Sequence, residues 1–102
     1  MAGLNVDGLY TFNGPFQHTS YLLKQSGVYL ISVFDGTRHV VLDIGESHDI
    51  HARISNHDRA DQWQLHAGGL PLHVSTYYCD EPTRMSMERQ LRARFNPVCG
   101  VR

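Results

Sequence analysis

The sequence predicts a small α+β domain, in which a three-stranded, mostly antiparallel sheet is flanked by helices. Hydrophobic residues make up 41% of the 102 positions, which is enough for one packed core. Two neighbouring segments rich in β-branched and aromatic residues are joined by Asp35-Gly36, a dipeptide typical of hairpin turns. Helix-start and helix-stop signals flank later segments. We expect residues 1–102 to form a single domain, with a core over 27–100 and residues 1–26 as an N-terminal extension.

The strands are predicted from side-chain type. Residues 27–34 (GVYLISVF) have the composition of a buried strand, and residues 40–44 form the return strand after the turn. Residues 72–79 (LHVSTYYC) are predicted to be the third strand. Turn signals at Asn13-Gly14-Pro15 interrupt the first 25 residues, so there we expect only a short extended piece or turn, around residues 21–23.

Two helices follow from capping residues and periodicity. Ser47 or Asp49 can cap a helix over residues 49–58. One face of this helix carries two isoleucines, an arginine and a histidine: Ile50, Ile54, Arg53 and His57. The last helix starts at Asp80-Glu81-Pro82-Thr83, runs to about Phe95 and stops at Asn96-Pro97. Between them lies a short segment, helical or irregular, that contains Trp63.

The charge pattern excludes a protein that holds nucleic acid by bulk charge. Nine Lys and Arg against ten Asp and Glu give a formal charge of −1. The last 22 residues differ, because five arginines face two glutamates and give +3. This basic group is either a solvated helix face or a local contact for phosphate.

Cysteine content and hydropathy indicate the compartment. Two cysteines, Cys79 and Cys99, are too few for a disulfide framework, so we expect thiols in a reducing cytoplasm. No apolar run approaches the roughly 20 residues that a membrane span needs, and no signal segment follows Met1. We therefore expect a cytoplasmic protein without a membrane partner.

Several polar residues stand out by position. Arg53 and His57 lie among isoleucines on an inward helix face, where a purely structural helix favours aliphatic residues; alternatively, both snorkel at the rim of that face. Glu88 lies four residues from Arg84 and from Arg92, which by itself predicts surface ion pairs.

Residues 27–100 resemble the GIY-YIG nuclease domain family, as a small single-domain member. Gly27-Val28-Tyr29 matches the first family motif, and Asp43-Ile44-Gly45 matches the second with Asp in place of Tyr. Three spacings also match the family: Arg53 lies eight residues after Gly45, His57 four after Arg53, and Pro97 nine after Glu88. The family asparagine that often lies three residues beyond this proline is replaced by Gly100, and Asn96 is out of register.

The resemblance implies a metal-dependent endonuclease or nuclease domain that hydrolyses a phosphodiester bond in DNA. Glu88 would hold the metal, Mg²⁺ or Mn²⁺, through a hard oxygen. Arg53, His57 and Arg92 would contact the substrate, and Tyr29 would position or deprotonate the attacking water. The candidate catalytic set is therefore Tyr29, Arg53, His57 and Glu88, with Asp43 as a doubtful member.

Asp43 leaves three hypotheses open. It binds the metal or a water on it, it pairs with Arg53 or His57, or it marks a weakened site. In the last case the chain is a catalytically weak or silent module that binds nucleic acid or a partner protein.

A zinc site at His48, His51 and His57 is a further alternative, disfavoured because no cysteine is close. Few residues flank the core, so targeting is expected to depend on a partner chain or a homodimer.

Overall fold

The computed structural model describes residues 3–6 and 8–100, so Arg102 of the basic C-terminal group lies outside the described residues. The strands are β1 (Leu4–Val6), β2 (Tyr10–Phe16), β3 (Gly27–Phe34), β4 (His39–Ser47) and β5 (Leu72–Tyr78). The helices are α1 (Ile50–Ser55), α2 (Ala60–Ala67) and α3 (Glu81–Phe95), and a short 3₁₀ turn covers Thr19–Tyr21.

The α+β class is confirmed, but the prediction of three strands is wrong. Five strands form one sheet in the order β1-β2-β5-β3-β4, and every neighbouring pair is antiparallel. The two additional strands come from the N-terminal segment. Gly14 and Pro15 lie inside β2, where the register with β5 shifts between Asn13 and Phe16. An irregularity of this kind accommodates a proline within a strand, which is why the turn signal there was misleading.

The helices cover both faces of the sheet and create two cores. On one face, side chains of β3 such as Tyr29 and Ile31 pack against α1 and α2. On the other face, Val28 and Leu30 pack against Met87 of α3 and against the N-terminal strands. Because side chains alternate along a strand, the central strand β3 is buried on both faces. Residues of odd and even number in β3 therefore belong to different layers.

The first helix is shorter than predicted. Asp49 caps it by accepting a hydrogen bond from the Ala52 N–H at 3.0 Å, but α1 ends at Ser55. His57 thus lies in the connection to α2 rather than on the predicted helical face. Its side chain is buried all the same, because α2 turns back and packs against it.

The last helix begins and ends as predicted. Asp80 accepts a hydrogen bond from the Thr83 N–H at 3.1 Å, and Asn96 ends the helix in the left-handed conformation with φ of 47°. At 15 residues α3 is the longest helix of the described part of the chain. Across residues 3–6 and 8–100, no helix has the length and apolar character to cross a membrane.

Phe12 tests whether the N-terminal strands are part of the fold. Its side chain is fully buried in the second core and contacts the ring of Tyr77. We expect Phe12→Ala to lower the free energy of unfolding by about 3–5 kcal/mol, the range for removing a buried aromatic ring. Leu9→Ala, at a side chain that is 68% exposed, should change it by less than about 0.5 kcal/mol. Urea denaturation measures both, and equal effects would show that the hairpin contributes little.

Candidate functional site

The side-chain ring of Tyr29 lies directly over the backbone of Gly45. The two residues face each other on β3 and β4, and a Cβ atom on Gly45 would overlap the phenol ring and hydroxyl of Tyr29. Only glycine leaves room for the ring at this position. The two predicted motifs therefore meet physically, and their contact holds the Tyr29 hydroxyl above the outer strand of the sheet.

His57 holds that hydroxyl from the other side. Its Nε2 lies 2.5 Å from the Tyr29 Oη, and its Nδ1 accepts a hydrogen bond from the Arg59 N–H at 3.0 Å. A neutral imidazole with Nδ1 as acceptor carries its proton on Nε2. Nε2–H thus donates to the Tyr29 oxygen, and the hydroxyl can donate its own proton to another group. The ring of Trp63, 4.3 Å away between centroids, supports the imidazole.

Both groups are neutral at physiological pH. Burial raises the pKa of Tyr29 to about 12, although the charges of Arg59 and Arg53 oppose the rise. Burial, together with the charges of Arg53 and Arg59, lowers the pKa of His57 to about 4. A phenol with so high a pKa stays protonated at neutral pH, so it is not available as a phenolate base but keeps a proton that it can donate in a hydrogen bond. The geometry therefore favours the positioning role expected for Tyr29 over proton abstraction.

Arg53 lies beside these two side chains, as predicted. It is in the last turn of α1, and its charge affects the pKa of both Tyr29 and His57. Its Nη2 donates to the Asp58 carboxylate at 2.8 Å, and its side chain is 34% exposed. Tyr29, Arg53 and His57 thus form one cluster, with a guanidinium that reaches solvent. We name this group the tyrosine cluster.

Asp43 does not pair with Arg53 or His57, so that hypothesis is wrong. Its buried carboxylate accepts five hydrogen bonds. Arg59 donates from Nε at 2.8 Å and Nη2 at 3.3 Å, Trp63 from Nε1 at 2.7 Å, and Arg92 from Nη1 at 2.9 Å. The fifth donor is the N–H of Ile44 at 2.8 Å. These bonds occupy the lone pairs that a metal would need, which also argues against Asp43 as a ligand.

The hydrogen-bond donors around Asp43 lower its pKa. Burial by itself would raise the pKa, but hydrogen bonds from Arg59, Trp63 and Arg92 outweigh it and hold the pKa below the ordinary value of 3.8. Asp43 is therefore ionised at neutral pH and compensates one of the two positive charges of Arg59 and Arg92.

Arg92 is held firmly within the protein. Its Nη1 donates to Asp43 and to the Ile44 carbonyl, and its Nη2 donates at 2.9 Å to each of the carbonyls of Cys99 and Gly100. These four bonds use all the Nη protons. The predicted contact between Arg92 and substrate would have to use Nε–H or displace one of them.

Glu88 lies on the other side of β4 from the tyrosine cluster. It lines a cleft of about 590 Å³ between α3 and β4, together with Glu46, Arg89 and Arg92. Among the described lining residues of this cleft, none belongs to the tyrosine cluster. The structure therefore places the predicted site residues in two groups: the tyrosine cluster lies on the face that α1 and α2 cover, and Glu88 and Arg92 lie on α3, which packs against the opposite face.

The donor set of the cleft is compatible with magnesium. Glu46 and Glu88 supply carboxylate oxygens, and Mg²⁺ commonly binds one or two carboxylates, with waters and phosphate oxygens completing its shell. One oxygen of Glu46 already accepts from Arg84 Nε at 2.6 Å. Within residues 3–6 and 8–100, no group of three or more His, Cys, Asp and Glu side chains is placed to hold a metal ion, so magnesium here would rest on the two carboxylates, and His48, His51 and His57 do not form such a group.

Sequence reasoning missed Arg59, Trp63 as a hydrogen-bond donor, and Glu46. Arg59 precedes α2, so no helical periodicity marks it. The large apolar ring of Trp63 is typical of a packing residue, and its one N–H donor gives no pattern in the sequence. A usable signal existed for Glu46. It follows Gly45 directly in the strand, so side-chain alternation predicts that Glu46 points to the face opposite the one that Tyr29 occupies.

Comparisons with known proteins found no match. No protein-family model, no curated protein and no solved structure is significantly similar to the chain. The likeness of residues 27–100 to GIY-YIG nuclease domains therefore stays a prediction from motifs and spacing.

Replacement of Asp43 by Asn tests the central carboxylate. The amide has nearly the same size as the carboxylate but leaves Arg59 and Arg92 without their counter-charge. Its NH₂ group would also face N–H donors, to which it cannot hydrogen-bond. We expect Asp43→Asn to lower the free energy of unfolding by about 3–5 kcal/mol in urea titrations at pH 7. Asp61→Asn, at an exposed residue of α2, is the control and should change it by less than about 0.5 kcal/mol. A loss below about 1 kcal/mol for Asp43→Asn would contradict this role.

The lowered pKa of His57 predicts how the stability of the protein depends on pH. Its pKa is about 4 in the folded protein, against the ordinary value of 6.5 expected for the unfolded chain, so the unfolded chain binds more protons between these values. Stability from neutral His57 is thus complete above pH 6.5 and is lost as the pH falls towards 4. The loss is on the order of 3 kcal/mol. His57→Gln should flatten this part of the stability curve, whereas His66→Gln, at an exposed residue, should not. Parallel curves for wild type and His57→Gln would contradict the prediction.

Proposed function

We propose that the chain is a metal-dependent endonuclease domain of the GIY-YIG type that hydrolyses a phosphodiester bond in DNA. The observation that carries the proposal is the convergence of Tyr29, Arg53 and His57 over Gly45. These residues come from β3, α1 and the α1–α2 connection, and motif spacing predicted them independently of their contacts. A structural role alone does not require an arginine that reaches solvent beside a buried phenol.

Arg53 would bind the phosphate. Its bond to Asp58 is exposed, since the Asp58 side chain is 74% accessible, and exposed ion pairs contribute little stability. A phosphate can therefore take the place of Asp58. The planar guanidinium can then donate two parallel hydrogen bonds to non-bridging oxygens, where negative charge increases in the transition state.

Tyr29 would orient the attacking water or a phosphate oxygen. His57 Nε2–H donates to the Tyr29 oxygen, so the phenolic proton points to a second acceptor. A neutral phenol in this position holds a water or an oxygen through that proton without adding negative charge near the phosphate. His57 acts through Tyr29 and is a positioning residue in this proposal.

Glu88, with Glu46 beside it, would hold the divalent ion in the cleft next to α3. Bound Mg²⁺ or Mn²⁺ would supply stabilisation of the charge at phosphorus and at the leaving 3′ oxygen. Arg89, which is exposed and lines the same cleft, adds positive charge for the DNA backbone. The substrate backbone would then pass around the outer edge of β4, between the two groups.

A silent binding module is the second candidate, and one observation favours it. Asp43 takes the place of a motif tyrosine and engages Arg59 and Arg92, so two guanidinium groups near the cleft are already bound within the protein, with one of their two positive charges offset. A module of this kind would bind nucleic acid or a partner protein without cleaving it. Its nucleic-acid affinity would fall steeply with salt and would require no metal.

Cleavage of supercoiled plasmid with Mg²⁺ or Mn²⁺ tests the proposal. Arg53→Ala and Glu88→Gln should each reduce the nicking rate by about 100-fold or more, because each removes charge stabilisation in the transition state. Gln90→Ala, on the exposed side of α3, is the matched control and should nick at the wild-type rate. Thermal unfolding of each variant checks that the fold is retained.

The outcomes separate the two candidates. Equal nicking by wild type, Arg53→Ala and Glu88→Gln would identify a contaminant and end the nuclease proposal. No nicking by wild type on plasmid, branched or single-stranded DNA, combined with salt-sensitive binding that Arg53→Ala weakens, would favour the silent module.

A further inference from the structure

A second cleft lies on the same face of the sheet as Tyr29. It has a volume of about 440 Å³, and its lining includes Asn13, Phe16, Tyr21, Leu23, Thr76 and Tyr78. Phe16 and Tyr78 also pack against the core that contains Tyr29, so the cleft borders that core. We name it the β2–β5 cleft, after the strands that supply most of its lining.

The β2–β5 cleft contains a hydroxyl without a partner. Thr76 is fully buried, and its Oγ1 has no hydrogen-bond partner among residues 3–6 and 8–100. Leaving a buried hydroxyl unpaired is costly, and a side chain of the same shape without the hydroxyl, such as valine, would avoid that cost. Ser75 carries a second unpaired buried hydroxyl, but of the two only Thr76 lines this cleft, where its hydroxyl can bond to the polar edge of a ligand.

The cleft also has an aromatic platform. Phe16 and Tyr21 stack with 5.4 Å between centroids and 14° between ring planes, and Tyr21 is 60% exposed. Phe16 supports one face of the Tyr21 ring and leaves most of the ring accessible. Tyr78 is held in place, because its hydroxyl accepts a hydrogen bond from the Leu23 N–H at 2.8 Å. A planar ring can stack here, as bases stack on aromatic side chains in proteins that bind single strands.

The sheet register relates this cleft to the tyrosine cluster. Gly45, Tyr29, Thr76 and Asn13 are paired across β4, β3, β5 and β2 in one row. Because the Tyr29 hydroxyl lies over Gly45, Thr76 and Asn13 are two and three strands from it, or about 10 and 14 Å at about 4.8 Å per strand. A DNA strand with a phosphate at Tyr29 can therefore place a nearby base over the β2–β5 cleft.

We propose that the β2–β5 cleft binds one unpaired nucleobase of the DNA strand that is cut. This inference rests on the proposed function and narrows its substrate to DNA with a single-stranded or flipped nucleotide next to the scissile bond. The base stacks on the exposed face of the Tyr21 ring, and the Asn13 amide bonds to its polar edge. That edge reaches Thr76 Oγ1 when the exposed side chain of Leu23 turns outward. The hydroxyl then gains the partner that it lacks in the free protein.

Two oligonucleotides with equal charge test the proposal. The first is hexadeoxythymidylate, and the second is a hexamer of abasic tetrahydrofuran sites with the same phosphates. Binding is measured by fluorescence anisotropy in EDTA, so that no cleavage occurs. We expect wild type to bind the thymine hexamer about 10-fold more tightly than the abasic hexamer. Tyr21→Ala should bring this ratio close to 1 without changing the affinity for the abasic hexamer.

Two further variants sharpen the test. Thr76→Val should lower the ratio about threefold and raise the midpoint of thermal unfolding, because it removes the unpaired hydroxyl. Leu65→Ala, at an exposed residue of α2 outside this cleft, is the control and should keep the wild-type ratio. Backbone amide shifts of Asn13 and Thr76 in NMR should move with the thymine hexamer only.

The failures of the two proposals are distinguishable. Equal binding of both hexamers by wild type, with metal-dependent nicking intact, would overturn the base site and leave the nuclease. A thymine preference that survives Tyr21→Ala would likewise overturn the base site. If neither hexamer binds and no DNA is nicked, both proposals are wrong.

Discussion

The carboxylate of Asp43 is the interaction on which the rest of the site depends. It joins the outer strand β4 to the start of α2 through Arg59 and Trp63, and to α3 through Arg92. Arg92 continues the connection to the carbonyl of Gly100. A buried anion with five donors is stable only as a set, because removal of one partner leaves uncompensated charge in a region of low dielectric. The helices on both faces of the sheet are therefore positioned relative to β4 by one side chain.

A net charge of −1 is compatible with the phosphate site that we propose at Arg53. Asp43 holds Arg59 and Arg92 inside the protein and offsets one of their two positive charges, whereas Arg53 forms its ion pair with the exposed Asp58 and reaches solvent. The charge that is available to a substrate is thus local and small. Binding that relies on one guanidinium gains from contacts that do not depend on charge, and an aromatic platform near Tyr29 is a contact of that kind.

Local patterns predicted the central hairpin, the last helix and the members of the tyrosine cluster. The buried run of β3, the Asp35-Gly36 turn and the caps at Asp49 and Asp80 act over a few residues, so they can be recognised in the sequence. The N-terminal strands were not predicted, because Gly14 and Pro15 interrupt β2 and pairing with β5 compensates for the interruption. That compensation comes from a strand about 60 residues later, which no local pattern reveals.

The sequence by itself determined the α+β class, the meeting of the two glycine motifs and the candidate residues Tyr29, Arg53 and His57. Only the tertiary structure decided what Asp43 does, that Arg92 is largely occupied, and that Glu88 faces a different side of β4. The physical reason is the distance along the chain over which each interaction acts. Helix caps, turns and strand alternation depend on neighbours along the chain, whereas the state of a buried charge depends on every donor that the fold brings within about 3 Å.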